Sequence, residues 1–252
     1  MFVRLERVSR KRRYLKMKKT LAIVLALIMV LSFAACGKKA VDPNAKAEGS
    51  VSYAQFIAAE DGAEVTIEGF ITAKIDGTAW GNCSLMLQDG DGAYYVYRMP
   101  IDAAEYAKLE VGQKIRVKGV RTAWSGENEI KEGTGTYEVL EGTYTFEAKD
   151  VTSLLSADNA TDLQNMFVKV TGAKVTAAPL YKWDGSGDKG DDVYVRLEIA
   201  GKEYDFLVES DLCGADTEVY AAAEKLTVGQ TVDLEGFLYW YNAPQLWITS
   251  IK

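Results

Sequence analysis

The chain has 252 residues, no histidine and only three cysteines. Without an imidazole, Ser-His-Asp and Cys-His nucleophilic catalysis and every histidine-ligated metal centre are excluded. Positive charge is also short: 29 Lys and Arg face 36 Asp and Glu, for a formal charge of −7. An acidic surface repels polyanions and keeps a protein in solution. It argues against nucleic acid as a partner. Nothing in the remaining residues marks a cofactor site, and none is expected.

One long stretch lacks charge. Met17-Lys18-Lys19 opens a short basic segment, Thr20 to Ala35 is apolar throughout, and small residues close it before Cys36. Basic start, apolar run and small residues at the cut predict a secretory signal over residues 1–35, with Met17 as an alternative start. A membrane-spanning anchor is the competing reading of the same run. Ala34-Ala35-Cys36 resembles the lipobox of bacterial lipoproteins. The resemblance implies cleavage before Cys36, acyl chains on that cysteine and a lipid anchor on the extracytoplasmic side of the cell membrane. Two acyl chains hold a protein stably on a bilayer, at about 0.8 kcal/mol per buried methylene. Residues 1–35 hold nine of the 29 basic and one of the 36 acidic residues, so the processed chain would carry −15. Cys83 and Cys213 then remain, as one disulfide or as two buried thiols.

Residues 36–50 (CGKKAVDPNAKAEGS) are polar without an apolar period and read as a flexible tether. Beyond them, KLEVGQKIRVKG at 108–119 returns as KLTVGQTVDLEG at 225–236. The elements around the two phrases repeat as well. Alternating apolar residues predict a first strand in EVTIEGFITAKI (64–75) and again in NMFVKVTGAKVTA (165–177). Hairpins follow at 83–99, turning at Asp-Gly-Asp-Gly, and at 192–210, turning at Ala200-Gly201. Each is followed by a short helix, the first capped by Asp102 and ended by Gly112. Strand four follows at 113–124 and at 230–241, and a fifth strand closes each half, within 128–147 and at 245–252.

Strand, hairpin, helix, two strands is the order of the OB-fold, a small five-stranded barrel. The fold class is therefore mostly β: two tandem five-stranded OB-fold-like barrels, domain one over 51–148 and domain two over 149–252. A two-sheet sandwich is the alternative, against which the repeated helix speaks. The pattern resembles tandem OB-fold modules of exported bacterial proteins. That fold implies a ligand face on strands two and three, framed by the loops between strands one and two and between four and five. Trp80 and Trp183 fall in the first of these loops in the two domains. Trp124, Trp240 and Tyr241 fall at the second, and Tyr95 and Tyr97 lie on strand three of domain one. Exposed aromatics would stack on sugars, bases or a partner's side chains, whereas inward-turned ones would plug the barrel mouths.

Two charged features have simpler explanations than ligands. Lys114, Arg116 and Lys118 alternate along strand four, opposite Glu64 and Glu68 of strand one, so cross-strand pairing accounts for them. Asp184, Ser186 and Asp188 alternate as calcium ligands do, but Lys189 stands where an EF-hand-like loop needs Gly and Val195 where it needs Glu. A flexible acidic loop is the expectation. The reading that follows is a membrane-anchored, non-catalytic binding module for a glycan, a peptide or an envelope protein. A single-stranded nucleic-acid-binding module is the alternative, and a carboxylate-dependent glycan-active enzyme is another.

Overall fold

A computed structural model of the chain describes residues 41–157 and 159–252. Residues 1–35 and Cys36, the signal and lipidation expectations, lie outside the described residues. The rest forms two closed five-stranded barrels in tandem.

In the first barrel β1 (Glu64–Gly77), β2 (Asn82–Gln88) and β3 (Ala93–Pro100) form an antiparallel meander. Helix α2 (Ala103–Tyr106) crosses to β4 (Gln113–Trp124), which pairs with β1. The last strand is broken into two pieces. β5 (Glu127–Ile130) bonds β4 and, in parallel, β3, while β6 (Thr136–Thr143) runs along the first half of β4. Ahead of the barrel sits helix α1 (Tyr53–Ala58), absent from the sequence expectations although its Ser52–Gln55 capping box was there to read. Tyr53 and Phe56 of this helix meet the ring of Tyr94 edge-on at 5.6 and 5.2 Å.

The second barrel repeats the circuit. β8 (Phe167–Val175), β10 (Val193–Ile199), β11 (Lys202–Val208), β13 (Pro244–Ile251) and β12 (Thr231–Trp240) follow one another round the barrel and close on β8, with helix α3 (Glu218–Ala223) between β11 and β12. Two-residue strands β7 (Lys149–Asp150) and β9 (Leu180–Tyr181) extend its margins.

The repeated phrase forms the same turn twice. Gly112 and Gly229 take φ of +88° and +90°, a conformation that favours glycine. The Gln that follows each glycine accepts a backbone hydrogen bond, Gln113 from Glu110 (3.2 Å) and Gln230 from Thr227 (3.3 Å). Leu109 and Leu226 point into their cores, and Val111 and Val228 point to solvent. The closing glycines, Gly119 and Gly236, lie where the last strand crosses, and a Cβ on either would meet that strand.

Residues 42–50 do not run free. Lys46 pairs with Asp89 at 2.6 Å, the Ala47 amide and Ser50 hydroxyl both donate to Glu68, and Lys114 Nζ donates to the Ala45 carbonyl. Glu68 is buried and also accepts from Arg116 at 2.8 Å. Burial raises its pKa, but the donors from Arg116, Ser50 and Lys114 outweigh that and hold it below the ordinary carboxylate value. This half of the expected tether is part of the first barrel, because that glutamate must be satisfied once buried.

Candidate functional site

Each barrel has its own core, and a third apolar cluster joins them. Ala73, Ile75, Met86 and Tyr95 project from the outside of β1–β3, and Leu207, Phe237, Tyr239 and Trp247 meet them from the second barrel. Tyr239 and Trp247 stack at 4.3 Å, and the Tyr95 ring stands edge-on to both at 5.7 and 5.8 Å. The face of strands two and three in domain one, expected to be open, is therefore partly covered by the second barrel. Tyr95 is only 4% exposed. It is taken up by this seam and offers no free ring, a correction to its expected role.

A polar strip beside the apolar seam also joins the barrels. Glu127 is fully buried and accepts from Asn165 Nδ2 (2.5 Å) and from the Trp240 amide (3.1 Å). Gln164 accepts from the Asn128 side chain at 2.8 Å and donates to the Gly126 carbonyl at 2.6 Å. The Asn242 amide donates to the Ser125 carbonyl at 2.6 Å. Trp240, half-buried, lies over Gly126 so closely that a Cβ there would come within 2.8 Å of its ring. Its job is to seat the β4–β5 turn, and it does not line the cavities described next.

Two adjoining cavities open along the seam, of about 620 and 1090 Å³. Trp124, Glu209, Tyr239 and Trp247 line both, so they form one groove across the two barrels. Trp80 stands at the first cavity and Trp183 at the second. The three tryptophans are well exposed, at 77, 54 and 76% for Trp80, Trp124 and Trp183. Tyr241 lies 5.2 Å from Trp124, bringing the second loop of each barrel together. Tyr97 lines the first cavity, and its ring is covered by the Arg98 guanidinium at 5.0 Å. Short local turns hold the two outer tryptophans. Thr78 donates to Asp76 at 2.8 Å ahead of Trp80, and Ser186 donates to Asp184 at 3.0 Å after Trp183.

The groove floor carries carboxylates that sequence reading did not name. Glu129 is 6% exposed, and burial, then the charge of Glu132, pushes its pKa up to about 7. Glu209 accepts from the Leu212 amide at 2.8 Å, and burial, then Asp192 and Asp211, pushes it up to about 7 as well. Burial raises Glu127 well above the ordinary value despite its hydrogen bonds. The signal in the sequence was strand parity: Glu127 and Glu129 alternate with Asn128 and Ile130, and Ile130 belongs to the core. Both glutamates must therefore face outward.

Other expected features fall elsewhere. Asp184 and Asp191 accept from backbone amides of their own loop, Asp188 lends its amide to Asp191, and no group of three Asp, Glu or Cys converges among the described residues. Lys114 and Arg116 pair with Glu68, and Lys118 pairs with Glu64 at 2.9 Å. Cys83 and Cys213 are free thiols in separate cores, and burial first of all pushes them up to about 12 and 11.

No protein-family model and no curated protein matches the chain. Among solved structures it is similar to the hypothetical protein ygiW of E. coli (18% identity, TM-score 0.28, covering 37% of this chain and 94% of that one). It is also similar to a replication protein A heterotrimer bound to single-stranded DNA (15%, 0.32, 76% and 46%) and to a murine DNA-binding protein bound to double-stranded DNA (12%, 0.36, 72% and 92%). Likenesses this distant do not extend to function.

Proposed function

We propose that this protein is a non-catalytic binding module that holds an extended glycan in the groove between its barrels. In this reading it is displayed on the outer side of a cell membrane by lipid on Cys36. The observation that carries it is the placement of Trp80, Trp124 and Trp183 along one groove. Flat apolar rings spaced along a cleft suit the faces of successive sugars, and the carboxylates between them accept hydrogen bonds from hydroxyls. The anchor rests on the Ala34-Ala35-Cys36 sequence. Metabolic labelling with a palmitate analogue tests it: label in the wild type and none in Cys36→Ser is the expected result.

The groove is tested by replacing Trp80, Trp124 and Trp183 with alanine together and measuring retention on a glycan array. Loss of at least tenfold in affinity is expected, since stacking on one aromatic is worth ~1–3 kcal/mol by alanine substitution. Unchanged retention would end the reading. Single-stranded DNA on an OB-like fold is the rival occupant, for the same rings would stack on bases. Binding of DNA that strengthens as salt falls would favour it, because phosphate contacts are salt-dependent. The acidic floor at Glu129, Glu209 and Asp211 speaks against phosphate.

A further inference from the structure

Glu127 and Glu129 sit two residues apart on β5, so their side chains leave the same face of the strand toward the second barrel. Their fates differ. The Glu127 carboxylate is bonded on both oxygens by the second barrel, through Asn165 and the Trp240 amide. Glu129 is less deeply placed, at 6% exposed against 0%, and among the described residues it accepts no hydrogen bond and has no cation within salt-bridge distance. Its backbone lies between Tyr95 of β3 and Thr122 of β4, and its side chain lines the first cavity. Nearby cations do not serve it. Arg98 pairs with Glu132 at 3.4 Å, and Lys131 stands exposed at the margin.

A largely buried carboxylate without a protein partner is costly, and the oxygens of this one open on the cavity, where a ligand can supply the partner. Here the surroundings define that partner. Tyr97, Tyr239 and Trp247 line the same cavity, and aromatic faces attract cations as well as apolar rings. Glu209 adds a second carboxylate with one oxygen engaged by Leu212. Carboxylates walled by aromatic rings match an ammonium group borne on a ring.

We infer that the first cavity recognises a glycan through a free amine, the ammonium of a de-N-acetylated amino sugar seated against Glu129. The inference rests on the groove being a glycan site and names the sugar it prefers. An N-acetyl group at the same position would bring a bulky amide whose single N–H carries no charge, a weaker match to Glu129 than an ammonium.

The test compares hexamers of glucosamine and of N-acetylglucosamine, titrated into the full chain in detergent. At least tenfold tighter binding of the glucosamine hexamer is expected. Glu129→Gln should remove that preference, weakening the glucosamine hexamer at least tenfold more than the acetylated one. A hexa-lysine peptide controls for attraction to an acidic surface, and its binding should be weaker. Equal affinity for the two hexamers, a preference that survives Glu129→Gln, or hexa-lysine binding as tightly as the glucosamine hexamer would each overturn the inference. If neither hexamer binds while other glycans do, the amine assignment falls and the glycan site stands. If no glycan binds, both fall. Should Glu129→Gln fail to fold, the wild-type comparison decides, with Glu209→Gln as the second variant expected to weaken the preference.

Discussion

The two barrels share a circuit but differ on their outer faces. In β10 of the second barrel buried and exposed residues alternate along the strand, as in a sheet with one wet side. In β2 of the first barrel every residue from Cys83 to Gln88 is buried. The interior side of β2 is filled by its own core, and Met86 on the outside is covered by the second barrel. A copied fold has thus acquired two roles. Both copies give part of an outer sheet face to the seam, and the second also lines the second cavity with Tyr194 and Tyr204.

The two closing glycines test that difference most severely. A Cβ at Gly236 would come within 2.0 Å of the Trp247 carbonyl oxygen, a backbone atom, whereas at Gly119 it would meet the Ile130 Cγ2 at 2.5 Å. A side chain can move and a paired strand cannot. Gly236→Ala is expected to cost more than about 3 kcal/mol and Gly119→Ala about 1–2 kcal/mol, read by denaturant unfolding. The reverse order would show that the copies are not braced as described.

The groove glutamates come next. Glu129 has a folded-state pKa of about 7 against an ordinary 4.5. Its folded form holds the proton more tightly, so the associated stability is fully present below about pH 4.5 and is lost as pH rises through 7. The loss between pH 5 and 8 is on the order of 2 kcal/mol from this group once screening by the open cavity is allowed for. Glu129→Gln should flatten the slope and leave the fold intact; an unchanged slope would show that the carboxylate is not confined as described.

Asn165→Ala removes one donor from buried Glu127 and should cost about 1–2 kcal/mol. Because the bond joins the barrels, calorimetry is expected to separate one melting transition into two. The smallest effect belongs to Lys118→Ala, which breaks an exposed pair with Glu64 and should change stability by no more than about 0.5 kcal/mol.

The barrels were legible because helix, turn and strand four keep their chemistry in both copies: Gly for a positive φ, Gln for a backbone amide, Leu for the core. The loop positions of Trp80, Trp124, Trp183 and Tyr241 were legible from the same element order. The docking of one barrel on the other was not, yet Leu85-Met86-Leu87 and Tyr94-Tyr95-Val96 carried its trace. Runs without alternation belong to strands covered on both sides. Trp240 went the other way: its loop position matched that of Tyr241, but only the partner turn at Gly126 decides that it is packed. Glu129 was hidden for a related reason. Its parity points it outward, and no local pattern says whether outward means solvent or a neighbouring barrel.

The seam has one more consequence. Since both cavities draw walls from each barrel, the chain holds one composite cleft where a simple duplication would hold two. A ligand titration should then saturate at a single equivalent, without the gain in avidity that independent tandem sites give. Either half alone would lack the cleft.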